Sequence, residues 1–367
     1  MNGVRIPSHP LIRAIALVCS LLVAAALLYW RGPDWNTVYH AFDFVAWRFV
    51  VAAFLLNLVS VGLRAFSWRL TIGQALDPPH PRFGNVLTSF GIGLFANAVL
   101  PGRIGELARV GVLRRHLPTH GPGTSATLVG TVIAHRLFDV VPALLLVLYV
   151  LLTAEIPHWA VTSLIVVSTV GVALFAFALA SAKRDHRPVL DGLGPVRRLW
   201  TMARKGLAVM KAPWAAVGAI FFQCLGWLMQ LLAVWVAMRA FDIDAPLPAA
   251  GLVLLLMNVA TIFPLWPGNV GLLQVAVALP LVEYGVAYST GFAYGLVLQA
   301  IEMSVGISAG LLSLAPEGLS FASLRGMPDA TGAAGENAEQ EDDAEPEDEQ
   351  ELDEEPEPVR ARAGVSG

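Results

Sequence analysis

Six stretches of twenty or more mostly apolar residues, at about 11–30, 49–69, 126–152, 159–182, 213–238 and 290–315, constrain this chain more than any other feature. A helix rises about 1.5 Å per residue, so each run is long enough to cross a hydrocarbon layer of roughly 30 Å. Inside such a layer every backbone N–H and C=O must be satisfied within the protein, and helices do this without help from neighbours. Composition agrees, with 56% of residues hydrophobic and 14% charged, against about a quarter charged in an ordinary soluble domain. The expected fold class is an all-α polytopic membrane protein. The first run is too long for a secretory signal and lacks a clear small-residue cleavage site, so it reads as a retained anchor.

Charge sets the expected orientation. The 183–211 loop carries eight Lys and Arg against Asp185 and Asp191, which marks it as cytoplasmic, because such loops retain positive charge. Counting from it places the amino terminus inside with Arg5 and Arg13, the 31–48 loop and Asp242–Asp244 outside, and the carboxyl-terminal tail inside, in a cell (cytoplasmic) membrane. Of the 28 acidic residues, 14 fall between Glu336 and Glu357, so the membrane body is basic although the whole chain is not. The division expected is a cytoplasmic terminus at 1–10, a membrane domain at 11–316 and a disordered acidic tail at 317–367, too polar and too poor in apolar residues to offset its ordering entropy.

Two further apolar runs, near 83–100 and 248–264, are cut by NAVLPGRIGE and NVATIFPLWPGNVG. Proline removes a backbone donor and glycine weakens a helix, so each region reads as a helix, a break at membrane depth and a short return helix. Two complete kinked spans in place of each hairpin would give the same parity. Shifting the chain by 166 positions superposes PGRIGELARV at 101–110 on PGNVGLLQVA at 267–276, and Arg136 on Glu302. Each half, about 49–152 and 213–315, then reads as span, broken hairpin, span, with the two first spans running in opposite directions. The expected architecture is therefore an inverted-repeat helical bundle with two broken, re-entrant helical hairpins, a plan that places a binding site near the bilayer midplane.

Charged groups inside a bilayer cost at least about 2.5–3.5 kcal/mol each and mark candidate sites. Arg103, Glu106 and Arg109 follow the first break at spacings of three, along one helix face. They are open to two readings. One is a self-neutralised ladder; the other is a lipid-phosphate site, since one glutamate cannot balance two arginines and a helix amino terminus adds positive potential. Arg136 and Asp139 in HRLFD are either a closed pair or a cavity-facing cation with an orienting carboxylate, with His135 beside them. In the second half Asn258, Asn269, Gln274 and Gln299 suit hydrogen bonds between helices, while Glu302 is a candidate by its charge, with Arg136 or Arg103 as counter-charge. Cys19 and Cys224 sit in apolar runs and suggest no disulfide or metal site. No GxxxxGK[ST] or HExxH string occurs, so no cofactor, no metal, no nucleic acid and no catalysis are expected.

The strings NAVLPGRIGELARV, HRLFD and FPLWPGNVG, with their spacing, resemble the membrane domain of bacterial lysylphosphatidylglycerol synthases, whose stand-alone relatives are described as flippase-like. The likeness covers roughly residues 10–316. It implies the handling of a charged lipid, with Asn97, Arg103, Glu106, Arg136, Asp139, Pro267 and Gly268 at the functional positions and Pro101 and Gly102 in the most specific motif. The family often has Glu where this chain has His135 and Gln274. No soluble aminoacyl-transfer domain is recognisable, so lipid synthesis is not expected. The partners expected are membrane lipids, phospholipid or polyprenyl-phosphate-linked. An alternative is a non-transporting membrane subunit that supports a separately encoded lipid- or glycan-modifying enzyme.

Overall fold

The computed structural model describes residues 33–99, 105–117, 124–154, 156, 158–183, 212–262 and 269–317, and among these described residues the chain is helical with no strand. A short helix, α1 (Trp35–Ala41), is capped by Asp34, whose carboxylate accepts from the Asn36 N–H at 3.0 Å and the Thr37 hydroxyl at 2.8 Å. Helix α2 (Trp47–Ala75) stops where Asp77-Pro78-Pro79 forbids further helical bonding. Helices α3 (Phe83–Val99) and α4 (Gly105–Arg115) form the first hairpin. Helices α5 (Thr124–Phe138) and α6 (Val140–Thr153) make one 30-residue span interrupted at Asp139. Pro142 explains the interruption: it has no N–H for the Phe138 carbonyl, and the Asp139 N–H reaches back only to Arg136, at 3.2 Å.

Helix α7 (His158–Lys183) follows, then α8 (Pro213–Met238), which opens on a proline whose missing N–H costs nothing at that position. The second hairpin is α9 (Leu247–Ile262) and α10 (Leu272–Val282), and α11 (Tyr288–Glu317) closes the bundle. Among the described residues, four helices are long and apolar enough to span a membrane, Trp47–Ala75, Thr124–Thr153, Trp214–Phe241 and Tyr288–Ser313, and they coincide with four of the six expected spans. The fifth, at 159–182, falls on α7. The sixth, at 11–30, lies outside the described residues, as does the tail beyond Glu317, the residue to which α11 extends.

The hairpin helices α3, α4, α9 and α10 hold 17, 11, 16 and 11 residues, or roughly 26, 17, 24 and 17 Å at 1.5 Å each, too short to cross singly. Helices α2 and α8 run antiparallel: Ser67 Oγ donates to the Ala219 carbonyl at 2.8 Å, Phe66 meets Phe222, and Ala46 N–H donates to the Ala240 carbonyl at 2.9 Å. The first hairpin starts beside the carboxyl-terminal half of α2, where Phe66 touches Phe83. The second starts beside the corresponding half of α8, where Trp235 Nε1 donates to the Ala245 carbonyl at 3.2 Å. Because α2 and α8 are antiparallel, the hairpins enter from opposite ends. They also cross over, α3 packing on α11 of the second half and α9 on α6 of the first.

Close approach of the helices depends on absent side chains. A Cβ at Gly105 would lie 2.0 Å from the Gly93 carbonyl oxygen and 2.6 Å from Asn97. Gly105→Ala must therefore part α3 from α4, and we expect it to lower stability by about 2–3 kcal/mol, as overpacking does. Gly62 meets nothing within 4 Å, so Gly62→Ala should leave stability unchanged or raise it by up to ~1 kcal/mol through helix propensity. Unfolding of both variants in detergent checks the contrast; equal melting would refute it.

Candidate functional site

Five charged side chains converge where α2, α4, α5 and α6 meet α8. Asp139, at the kink, accepts from Arg64 Nη2 at 3.0 Å, from Trp227 Nε1 at 2.9 Å and from the Gln223 amide. Arg136 Nη1 lies 3.4 Å from its other oxygen. The kink frees this carboxylate from the helix axis and turns it toward α2 and α8. Gly226 lets Arg64 reach it, since a Cβ there would stand 2.7 Å from Arg64 Cγ. Glu106, on the first turn of α4, binds Arg136 from the other side and pairs with Arg109 Nη2 at 2.6 Å. The Arg109 contact is an ion pair without the alignment of a hydrogen bond.

Among the described residues, three guanidinium groups thus share two carboxylates, an excess of one positive charge. The groups differ in access. Arg109 has 3% of its side chain exposed, and its guanidinium lies over the rings of Trp68, at 4.7 Å, and Phe90, at 5.4 Å. Expected at a lipid phosphate, it is instead enclosed, because two aromatic faces and Glu106 occupy its surroundings. Arg136 keeps 48% of its side chain exposed, against 17% for Arg64, and is the most open of the three. His135 faces away, fully buried, its ring edge against Phe90 and both nitrogens without a hydrogen-bond partner.

The second half contributes through α11. Gly291 and Gly295 of α11 face Ala278 and Gln274 of α10, and Gln274 Nε2 donates to Gln299 Oε1 at 2.6 Å. Further along the same face, Gly306 meets Leu94 and Ala98 of α3, and Gly310 meets Phe95. Positions 291, 295, 299, 302, 306 and 310 form one stripe at helical spacing. Glu302 stands on it between the contacts of the two hairpins, exposed and, among the described residues, without an ion pair. Of the two counter-charges expected for it, Arg136 is taken by Glu106 and Asp139, and Arg103 lies outside the described residues.

The amides play local roles. Asn97 Oδ1 accepts from the Gly105 N–H at 2.9 Å and so caps α4 across the break. Asn269, with φ of 47°, donates to the Ala260 carbonyl at 3.0 Å and ties the second break to α9. Asn258 donates to Leu254 of its own helix. Arg103, Pro101, Gly102, Pro267 and Gly268 lie outside the described residues. Sequence reasoning passed over Arg64, Gln223 and Trp227. Arg64 lies inside the 49–69 run, so its charge alone was the available signal; nothing in the sequence distinguished Gln223 and Trp227 from packing residues.

A family model described as the lysylphosphatidylglycerol synthase TM region matches residues 14–310. The chain is also similar to a UPF0104 membrane protein of Methanothermobacter thermautotrophicus, with 26% identity over 289 residues, covering 73% of this chain and 82% of that protein. No solved structure matches.

Proposed function

Because the chain belongs to the family of the lysylphosphatidylglycerol synthase transmembrane region, and is thus a multi-pass membrane protein of a lipid-linked family, we propose that it binds the phosphate of a membrane lipid at Arg136 and carries that lipid between leaflets. The observation that carries this reading is the uneven cluster: three arginines against two carboxylates, with Arg136, which touches both carboxylates, the most exposed of the three. A guanidinium binds phosphate oxygens in a bidentate manner, and a phosphate there completes the charge balance. Asp139 and Glu106 then act as positioning groups that hold Arg136 extended. The inverted hairpins supply two approaches to the same depth, as alternating access requires. The protein works without making or breaking a bond, in the cytoplasmic membrane, with both termini inside as the positive 183–211 loop favours.

The full chain, purified in mild detergent, should retain a phosphate-bearing lipid in native mass spectrometry. Reconstituted in liposomes, it should speed the loss of a headgroup-labelled phosphatidylglycerol from the protected leaflet. Retention without acceleration would favour a non-transporting subunit serving a separately encoded enzyme; neither effect would end the lipid reading.

A further inference from the structure

We propose that the cleft between α2 and α11 seats an acyl chain of the lipid whose phosphate lies at Arg136, an inference that rests on the preceding reading. A space of about 550 Å³ opens between these helices, lined by Trp47, Val50 and Phe54 on one side and Val297, Ala300 and Ser304 on the other. Its lining is almost wholly apolar, so it offers no set of polar partners to hold water. Beside it, large apolar side chains point outward: Trp47 is 62% exposed, Val51 56% and Leu55 53%. In a membrane-spanning helix that side meets hydrocarbon, and the occupant available from it is a fatty chain.

Comparison of the two halves shows that the opening is a departure from the repeat. The 166-residue shift relates Ser304 to Phe138 and Ala300 to Ala134. At the related place Phe138 is fully buried against Ala219, with Leu70, Ala215 and Ile220 around it. Where the first half fills the space with an aromatic ring, the second has a hydroxymethyl group and leaves it open. The cleft also leads to the charges. Val50, Phe54, Asn57, Val61 and Arg64 follow one another at spacings of three and four on α2, so the face that lines the cleft ends at the arginine paired with Asp139. From Phe54 to Arg64 is roughly 15 Å along the axis, a distance a lipid's glycerol and upper chain bridge.

Ser304→Phe tests this, because the fold already accommodates phenylalanine at the related position; Ala300→Leu is a second, smaller filling. Each full-length variant is checked by its unfolding curve, then compared with the parent and with Arg136→Gln by native mass spectrometry. The probes are dioleoyl-phosphatidylglycerol and dibutyryl-phosphatidylglycerol, whose four-carbon chains stop short of the cleft. Filling should lower retention of the dioleoyl lipid about tenfold, the effect of unseating roughly two methylenes, and leave the dibutyryl lipid unchanged. If the filled proteins keep the dioleoyl lipid while Arg136→Gln loses it, the cleft is not the chain's seat and the phosphate reading stands. If they lose the dioleoyl lipid while Arg136→Gln keeps both, the cleft stands and the phosphate reading falls. Equal loss of both lipids on filling, or retention by every variant, overturns the acyl seat.

Discussion

Asp139→Ala is expected to lower stability by about 3–5 kcal/mol, the loss that follows when one member of a buried charge pair is removed. Asp139 gathers Arg64, Arg136, Gln223 and Trp227 on two oxygens. Without it the Arg64 guanidinium, largely enclosed between α2 and α8, loses the carboxylate that it pairs with among the described residues. The cost belongs to the stranded cation rather than to the lost bonds, so Arg64→Leu combined with Asp139→Leu should recover most of it. Unfolding in detergent against added SDS measures both. A single variant within about 1 kcal/mol of the parent, the scale of an exposed pair, would show Asp139 to be solvated and the network to be without structural weight.

The second expectation separates the two arginines of the first hairpin's neighbourhood. Arg136→Gln should reduce lipid retention by about tenfold or more, since a charge-assisted bond contributes roughly 1.5–3 kcal/mol. It should shift unfolding by no more than about 1 kcal/mol, because half the side chain is already open. Arg136→Lys should fall between, keeping the charge but not the paired donors. Arg109→Gln should do the reverse. It removes a buried cation from the faces of Trp68 and Phe90, at a cost of about 2–4 kcal/mol, while the protein that still folds keeps its lipid. Were Arg109→Gln to melt normally and lose the lipid, the roles assigned to the two residues would be exchanged.

Much of the fold was legible because its signals are long. Spans of 29, 30 and 28 residues carry their own evidence in hydropathy, and the Pro-Gly breaks divide the hairpins where α3 ends at Val99 and α4 begins at Gly105. The kink at Asp139 was not anticipated, although Pro142 was there to be read, since one proline in a long apolar run more often bends a helix than opens it around a carboxylate. The site was legible as residue types and not as partners. Arg109 and Arg136 look alike in a string; what separates them is Trp68 and Phe90, brought from α2 and α3 by packing. Arg64 joins Asp139 across 75 positions, a separation no local pattern reports.

The crossing of the hairpins has a consequence in time. Phe95 and Gly310 touch, a Cβ at the latter meeting the former's at 2.1 Å, yet the ribosome makes them 215 residues apart. At roughly 5–20 residues per second, the first hairpin waits on the order of ten to forty seconds for the helix that covers it. Glu106, Arg109 and Arg136, which pair with one another in the finished chain, are all synthesised before that wait begins, and α11 after it. Pairing of Glu106 with Arg109 and Arg136 draws on the first half alone, so these charges can be neutralised, avoiding the cost a bilayer sets on unpaired ones, before the second half is made.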